Sequence, residues 1–149
     1  MKVKRILPLT YLLIALVVML IFHFVIPIIT LIPCPWNLLG LIPMVIGILI
    51  NFIADSALRQ AGTTVKPFQE SSALITGSVY GISRHPMYLG FVLLLSGVAI
   101  LLNSLSPWVI IPIFALLMEL VFIRVEERML EEKFGATWIE YKKKVRKWI

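Results

Sequence analysis

Cysteine occurs once in these 149 residues, at Cys34, within the apolar run 32–36 (IPCPW). A lone thiol cannot close an internal disulfide and leaves no Cys/His set for a metal centre, so Cys34 reads as a small buried apolar residue. Charge is also scarce: 15% of residues are Asp, Glu, Lys or Arg, against about 25% in soluble domains. Hydrophobic residues make up 60% of the chain and mean hydropathy is +0.97. At about 20 apolar residues per crossing, the length holds about four spans and no separate soluble catalytic domain. No G-x-G-x-x-G follows a strand pattern, which excludes an ordinary dinucleotide-binding fold. The net charge of +6 lacks the water-exposed basic face that nucleic-acid binding requires, so no nucleic-acid partner and no metal are expected.

What is present falls into four apolar segments, at about 6–32, 36–57, 87–102 and 108–125. Residues 1–23 start basic and continue apolar like a signal peptide, but the run outlasts the usual length of about 7–15 and no small-residue cleavage site follows. It is expected to stay as the first span, with tilt or a bend at Pro27 absorbing its excess length. The expected fold is all-α: a polytopic membrane protein with four transmembrane helices, a structured cytoplasmic connection and a C-terminal amphipathic interfacial helix, forming one domain over 1–149.

All 14 Lys and Arg residues fall at Lys2, Lys4 and Arg5, at Arg59, Lys66 and Arg84, or from Arg124 onward. The connections between the first and second segments and between the third and fourth carry none. By the positive-inside rule both termini and the middle connection face the cytoplasm, in an inner, plasma or endomembrane, with anionic lipid as neighbour. An even number of crossings satisfies that arrangement. Past the fourth span, VEERMLEEKF (125–134) predicts a helix leaving the bilayer and stopping near Gly135. In residues 137–149, Trp138, Tyr141, Val145 and Trp148 recur at helical spacing among five cations, the pattern of an interfacial helix or of a cover over a cytoplasmic pocket.

Polar residues gather on the cytoplasmic side. Residues 58–83 hold Gly62, Pro67, Gly77 and Gly81 and read as a structured connection that delivers Tyr80, Arg84, His85 and Tyr88 to the third span. Pro86 suits the first turn of a helix, so that span is expected to begin at His85-Pro86 with its free backbone N–H groups facing the same pocket. The end of the fourth span adds Arg124, Glu126, Glu127 and Arg128. An arginine can clamp a carboxylate, glutamates can accept from ammonium or hydroxyl groups, and aromatic rings can face a sulfonium. Such a set suits an amphipathic zwitterion. Glu119 lies seven residues before Glu126, on nearly the same face of a straight helix and inside the span, where an ionisable residue is a functional candidate unless Asn51 or His23 simply hydrogen-bonds it.

TTVKPF (63–68), LITGSVYGISRHPMYLG (74–90) and EERMLEEKFGATWIEYKKKVRKW (126–148) together resemble the isoprenylcysteine carboxyl methyltransferase and phospholipid methyltransferase superfamily, integral membrane enzymes that use S-adenosylmethionine. The resemblance covers about 58–148. It implies a methyltransferase acting at the membrane on a lipid-like or small hydrophobic acceptor: an isoprenylcysteine carboxylate, a lipid amine or a thiol. It also implies a cofactor region at about 62–90 and 119–148, with binding residues Leu74, Ile75, Thr76, Gly77, Tyr80, Arg84, His85, Pro86, Tyr88, Gly90, Glu126 and Glu127. Glu119 and Arg124 are the candidate catalytic residues, and Glu119 with Phe122 the candidate acceptor contacts. Phe122 stands where the family places an arginine that meets a substrate carboxylate. With Glu119 nearby, that substitution points toward an amine, thiol or uncharged group over a carboxylate. The alternatives are a membrane NADPH-dependent sterol or enone reductase and a non-enzymatic membrane protein.

Overall fold

A computed structural model describes residues 7–63 and 71–149. The basic positions Lys2, Lys4, Arg5 and Lys66, the residue Ile6 and most of the TTVKPF element therefore lie outside the described residues. Among those described the chain is helical, with one isolated bridge between Thr30 and Ser104 as its only β pairing.

Helix α1 spans Pro8–Val25, with Pro8 at its first turn. Its buried residues Leu12, Ala15 and Met19 recur every three or four positions, so one face packs inward while Leu9, Leu13, Val17, Leu20 and Phe24 stay exposed. The expected span to residue 32 ends early, since the chain leaves the helix at Ile26, just before Pro27. The irregular backbone that follows is held by the α3–α4 connection. Ile32 N–H donates to Asn103 Oδ1 over 2.7 Å, Leu105 N–H donates to the Ile29 carbonyl over 3.1 Å, and the Ser106 hydroxyl donates to the Phe22 carbonyl over 3.1 Å. These bonds satisfy groups that lipid could not. His23 joins the same set through Ser104 Oγ at 2.8 Å. Cys34, on this connection, is exposed rather than buried.

A short 3₁₀ turn, Trp36–Gly40, leads into α2, Leu41–Gln60. Helix α3, Pro86–Leu102, runs against it, and glycines bring the two backbones together. A Cβ on Gly40 would meet the Gly97 carbonyl, and one on Gly90 would meet the Asn51 amide and the Gly47 carbonyl. Gly40 at the end of the 3₁₀ turn and Gly47 on α2, seven apart like Gly90 and Gly97 on α3, thus form a small-residue seam of the kind that joins membrane helices. The 17 residues of α3 are about 26 Å long, short of a hydrocarbon core of about 30 Å. Tyr88, Leu89, Phe91, Leu95 and Ala99 are buried, so α3 is largely wrapped by protein.

Helix α4, Ile110–Met118, passes through a π turn at Glu119–Ile123 into α5, Arg124–Phe134. The wide turn buries the adjacent residues Phe122 and Ile123 completely, where an α-helix would direct neighbours about 100° apart. Among the described residues, three stretches are long and apolar enough to cross a membrane: Pro8–Val25, Trp36–Gln60 and Ser106–Phe134. The helix expected past residue 125 continues to Phe134 and stops at Gly135, whose φ of 49° suits glycine. Helix α6, Ala136–Lys144, follows, and ends earlier than the residue spacing suggested because Val145 is extended. Trp138, Tyr141 and Val145 are buried together against Leu74, Leu130 and Phe134.

Candidate active site

The polar corner begins where the 3₁₀ turn Ser78–Gly81 meets α3. The buried Ser83 hydroxyl donates to the Lys147 carbonyl over 3.0 Å and accepts the His85 N–H over 3.2 Å, which fixes the entry into the helix. Pro86 then occupies the first helical turn, as its fixed φ favours. His85 is buried between two carboxylates, Nδ1 being 3.5 Å from Glu126 Oε2 and Nε2 being 3.4 Å from Glu127 Oε1. Burial pushes the imidazole pKa down, but hydrogen bonds to Glu126 and Glu127 and their negative charge outweigh it, and the net result is a raised pKa.

Glu126 also accepts from the Tyr88 hydroxyl over 2.6 Å, and Glu127 Oε1 pairs with Arg84 Nη2 at 3.0 Å. The Arg84 guanidinium lies over the Trp138 ring, 5.8 Å from its centroid. Tyr141 donates to the Tyr80 carbonyl over 2.6 Å and so ties α6 to the 3₁₀ turn. Burial raises the Tyr141 phenol to about 12, with Arg84 acting in the opposite direction, and burial with the charge of Glu126 raises Tyr80 further. Both phenols stay protonated at neutral pH, and the Tyr141 hydroxyl serves as a hydrogen-bond donor.

Most of these groups, though not Ser83 or Glu127, line a cavity of about 710 Å3, inside the range of roughly 300–1,000 Å3 for small-molecule sites. Of the residues nominated from the sequence for the cofactor, Leu74, Ile75, Tyr80, Arg84, His85, Pro86, Tyr88 and Glu126 line it. Its apolar wall includes Leu7, Pro8, Leu9, Met87, Phe91 and Met129. Trp138 and Tyr141 of α6 and Leu130 of α5 also line it; sequence reasoning did not assign them there, though the aromatic spacing of residues 138–148 carried the signal of a cover. Two buried donors of residues that line this cavity, Arg84 Nε and Trp138 Nε1, have no partner among the described residues. Buried donors are rarely left unpaired, and this pair fits a ligand rich in acceptors and bearing negative charge.

Thr76, Gly77 and Glu127 are not part of the lining; Glu127 supports Arg84 and His85 from behind. Gly90 packs on α2. Glu119 and Phe122 also stand off the cavity wall, since the π turn alters the register that a straight helix would give relative to Glu126. Neither Asn51 nor His23 holds Glu119: its Oε1 accepts from Lys147 Nζ at 2.7 Å and lies 3.9 Å from Arg124 Nε, while its Oε2 is buried without a partner among the described residues. Phe122 stacks beneath Tyr88 with ring centroids 6.1 Å apart. The Arg124 side chain is 65% exposed.

The family pattern described as phospholipid methyltransferase matches residues 36–137. A protein-S-isoprenylcysteine O-methyltransferase of Saccharomyces cerevisiae is 38% identical over 118 residues, covering 73% of this chain and 46% of that protein. One of the same description from Schizosaccharomyces pombe is 31% identical over 103 residues, covering 64% and 42%. The chain therefore spans about half the length of the curated relatives it matches. The solved eukaryotic intramembrane Ras methyltransferase, isoprenylcysteine carboxyl methyltransferase, superposes with a TM-score of 0.69 at 22% identity, over 92% of this chain and 51% of that one. The helical arrangement is shared with that structure.

Proposed function

This chain belongs to the phospholipid methyltransferase family, and from that premise we propose that it is a membrane methyltransferase using S-adenosylmethionine, with a prenylated, isoprenylcysteine-type carboxylate as acceptor. The observation that carries the reading is the pair of buried unpartnered donors, Arg84 Nε and Trp138 Nε1, beside a cavity of about 710 Å3 that also exposes His85, Tyr80 and Glu126. When bound there, S-adenosylmethionine supplies a methyl group on a sulfonium, which an acceptor oxygen takes as the sulfur becomes a neutral thioether. Arg84 and Trp138 would hold anionic and acceptor groups, and Glu126, oriented by Tyr88 and His85, would accept from ammonium or hydroxyl groups. Leu74, Ile75 and Pro86 would pack the apolar portion. Glu127 would act through Arg84 and His85. The wall formed by Leu7, Leu9, Met87 and Phe91 suits the lipid-like part of the acceptor.

A carboxylate nucleophile needs no base, which accords with carboxylates that are each already committed: Glu126 to Tyr88, Glu127 to Arg84 and His85, Glu119 to Lys147. The repulsion expected from Glu119 is offset by the Lys147 ammonium at 2.7 Å, which removes one of the two grounds for an amine or thiol; the other, Phe122 in place of an arginine, stands. Glu119 and Phe122, both off the cavity wall, would reach an acceptor only if it entered beyond that wall. Catalysis here rests on alignment and exclusion of water. Four crossings, with α3 as the short third, would place both termini and the site on the cytoplasmic side, with α6 at the interface above the cavity. Binding of S-adenosylhomocysteine to the detergent-solubilised protein, with NADPH as competitor, tests the cofactor assignment: NADPH binding with no binding of S-adenosylhomocysteine would favour a reductase.

A further inference from the structure

The last turn of α6 and the segment after it return to the polar corner and tie it together. Arg84 N–H donates to the Arg146 carbonyl over 3.1 Å, Ser83 Oγ donates to the Lys147 carbonyl over 3.0 Å, and Arg84 Nη1 reaches the Lys142 carbonyl at 3.5 Å. Lys147 itself turns inward, its Nζ 2.7 Å from Glu119 Oε1 and 3.7 Å from Glu127 Oε2.

That second contact bears on how Arg84 is used. A guanidinium facing a carboxylate ordinarily pairs through two parallel hydrogen bonds. Here Glu127 offers Arg84 only Oε1, at 3.0 Å from Nη2, and the same oxygen faces His85 Nε2 at 3.4 Å. Oε2 is turned toward Lys147, and Arg84 Nε is left buried with no partner among the described residues, beside the cavity that Arg84 lines. We propose that Lys147 is a positioning residue: by holding Glu127 Oε2 it prevents Glu127 from engaging Arg84 at both positions, and so keeps the Arg84 Nε donor open for a carboxylate of the bound ligand. The sequence shows only a lysine in a basic tail, where a solvated cation is the ordinary reading. This inference rests on the methyltransferase reading for the identity of the ligand.

The test compares affinities for S-adenosylhomocysteine, which carries a carboxylate, and 5′-methylthioadenosine, which lacks one. Lys147→Met is made in a Glu119→Gln background so that no buried charge is stranded, with Glu119→Gln alone as the reference. The expected result is loss of roughly tenfold in affinity for S-adenosylhomocysteine, the scale of one hydrogen bond to a charged group, with 5′-methylthioadenosine binding unchanged. Lys147→Arg should restore the discrimination, and Arg84→Lys should abolish it with no further loss when combined with Lys147→Met. Equal weakening of both ligands, or no change in either, would overturn the proposal. If the unsubstituted protein bound neither ligand, the cofactor assignment itself would fall, and this inference with it.

Discussion

The Tyr88 hydroxyl donates to Glu126 Oε1 over 2.6 Å, joining the first turn of α3 to the first turn of α5 across the cavity. That bond holds in place a carboxylate whose other oxygen faces His85. Tyr88→Phe keeps the ring that stacks on Phe122 and removes only the donor. The expected outcome is a loss of about tenfold in affinity for S-adenosylhomocysteine with little change in thermal stability, measured by calorimetry on the detergent-solubilised protein.

His85 gives the fold a pH dependence with a definite sign. Its pKa is raised in the folded protein, because Glu126 and Glu127 favour the imidazolium more than burial disfavours it. The stabilisation is therefore complete below the unfolded value of about 6.5 and is lost as pH rises through the higher folded value. Melting temperature should fall across that window in the parent and fall less in His85→Gln. Identical pH profiles for the two would contradict the ion-pair assignment.

The glycine seam predicts where small substitutions do harm. Gly90→Ala places a methyl against the Asn51 amide and the Gly47 carbonyl, whereas Gly77→Ala adds one in open space at a negative φ. Overpacking of this kind costs about 1–3 kcal/mol, so Gly90→Ala should unfold at lower temperature and Gly77→Ala close to the parent. Cofactor affinity of the folded fraction should be little changed in both, since neither glycine lines the cavity.

The four-crossing topology predicts opposite accessibility at two sites. The exposed native Cys34, and Ala61→Cys in a Cys34→Ser background, should label from opposite faces of sealed vesicles with a membrane-impermeant thiol reagent. Labelling of both from one side would refute that topology.

Much of the site was legible in the sequence because its residues are close in the chain. The element RHPMYLG (84–90) carries its own helix start at Pro86, and Glu126 with Glu127 follows on an uninterrupted helix pattern. What escaped was whatever depends on departures from regular geometry. A π turn at Glu119–Ile123 leaves no mark in a 3.6-residue periodicity, so Glu119 was placed on the Glu126 face when it pairs with Lys147. The return of the chain end over Ser83 and Arg84 is a tertiary contact made through backbone carbonyls, which no residue type announces. Gly90 read as a motif glycine for the ligand because close helix packing and ligand approach both require the absence of a side chain. The first segment overran its helix because residues 26–32 are as apolar as those before them, while Pro27 and the bonds to Asn103 and Ser106 decide the backbone.

The most direct measurement of the central claim is transfer of a labelled methyl group from S-adenosylmethionine to a farnesylated cysteine carrying a free carboxylate, in membranes containing this chain. Base-labile label should appear in the prenylcysteine with the parent protein and fall by about a hundredfold or more with Glu126→Ala or Arg84→Ala, the scale on which lost orientation of a reactant acts. If no label reached the prenylcysteine carboxylate while S-adenosylhomocysteine bound, the acceptor assignment would be wrong; transfer undiminished in both variants would contradict the site.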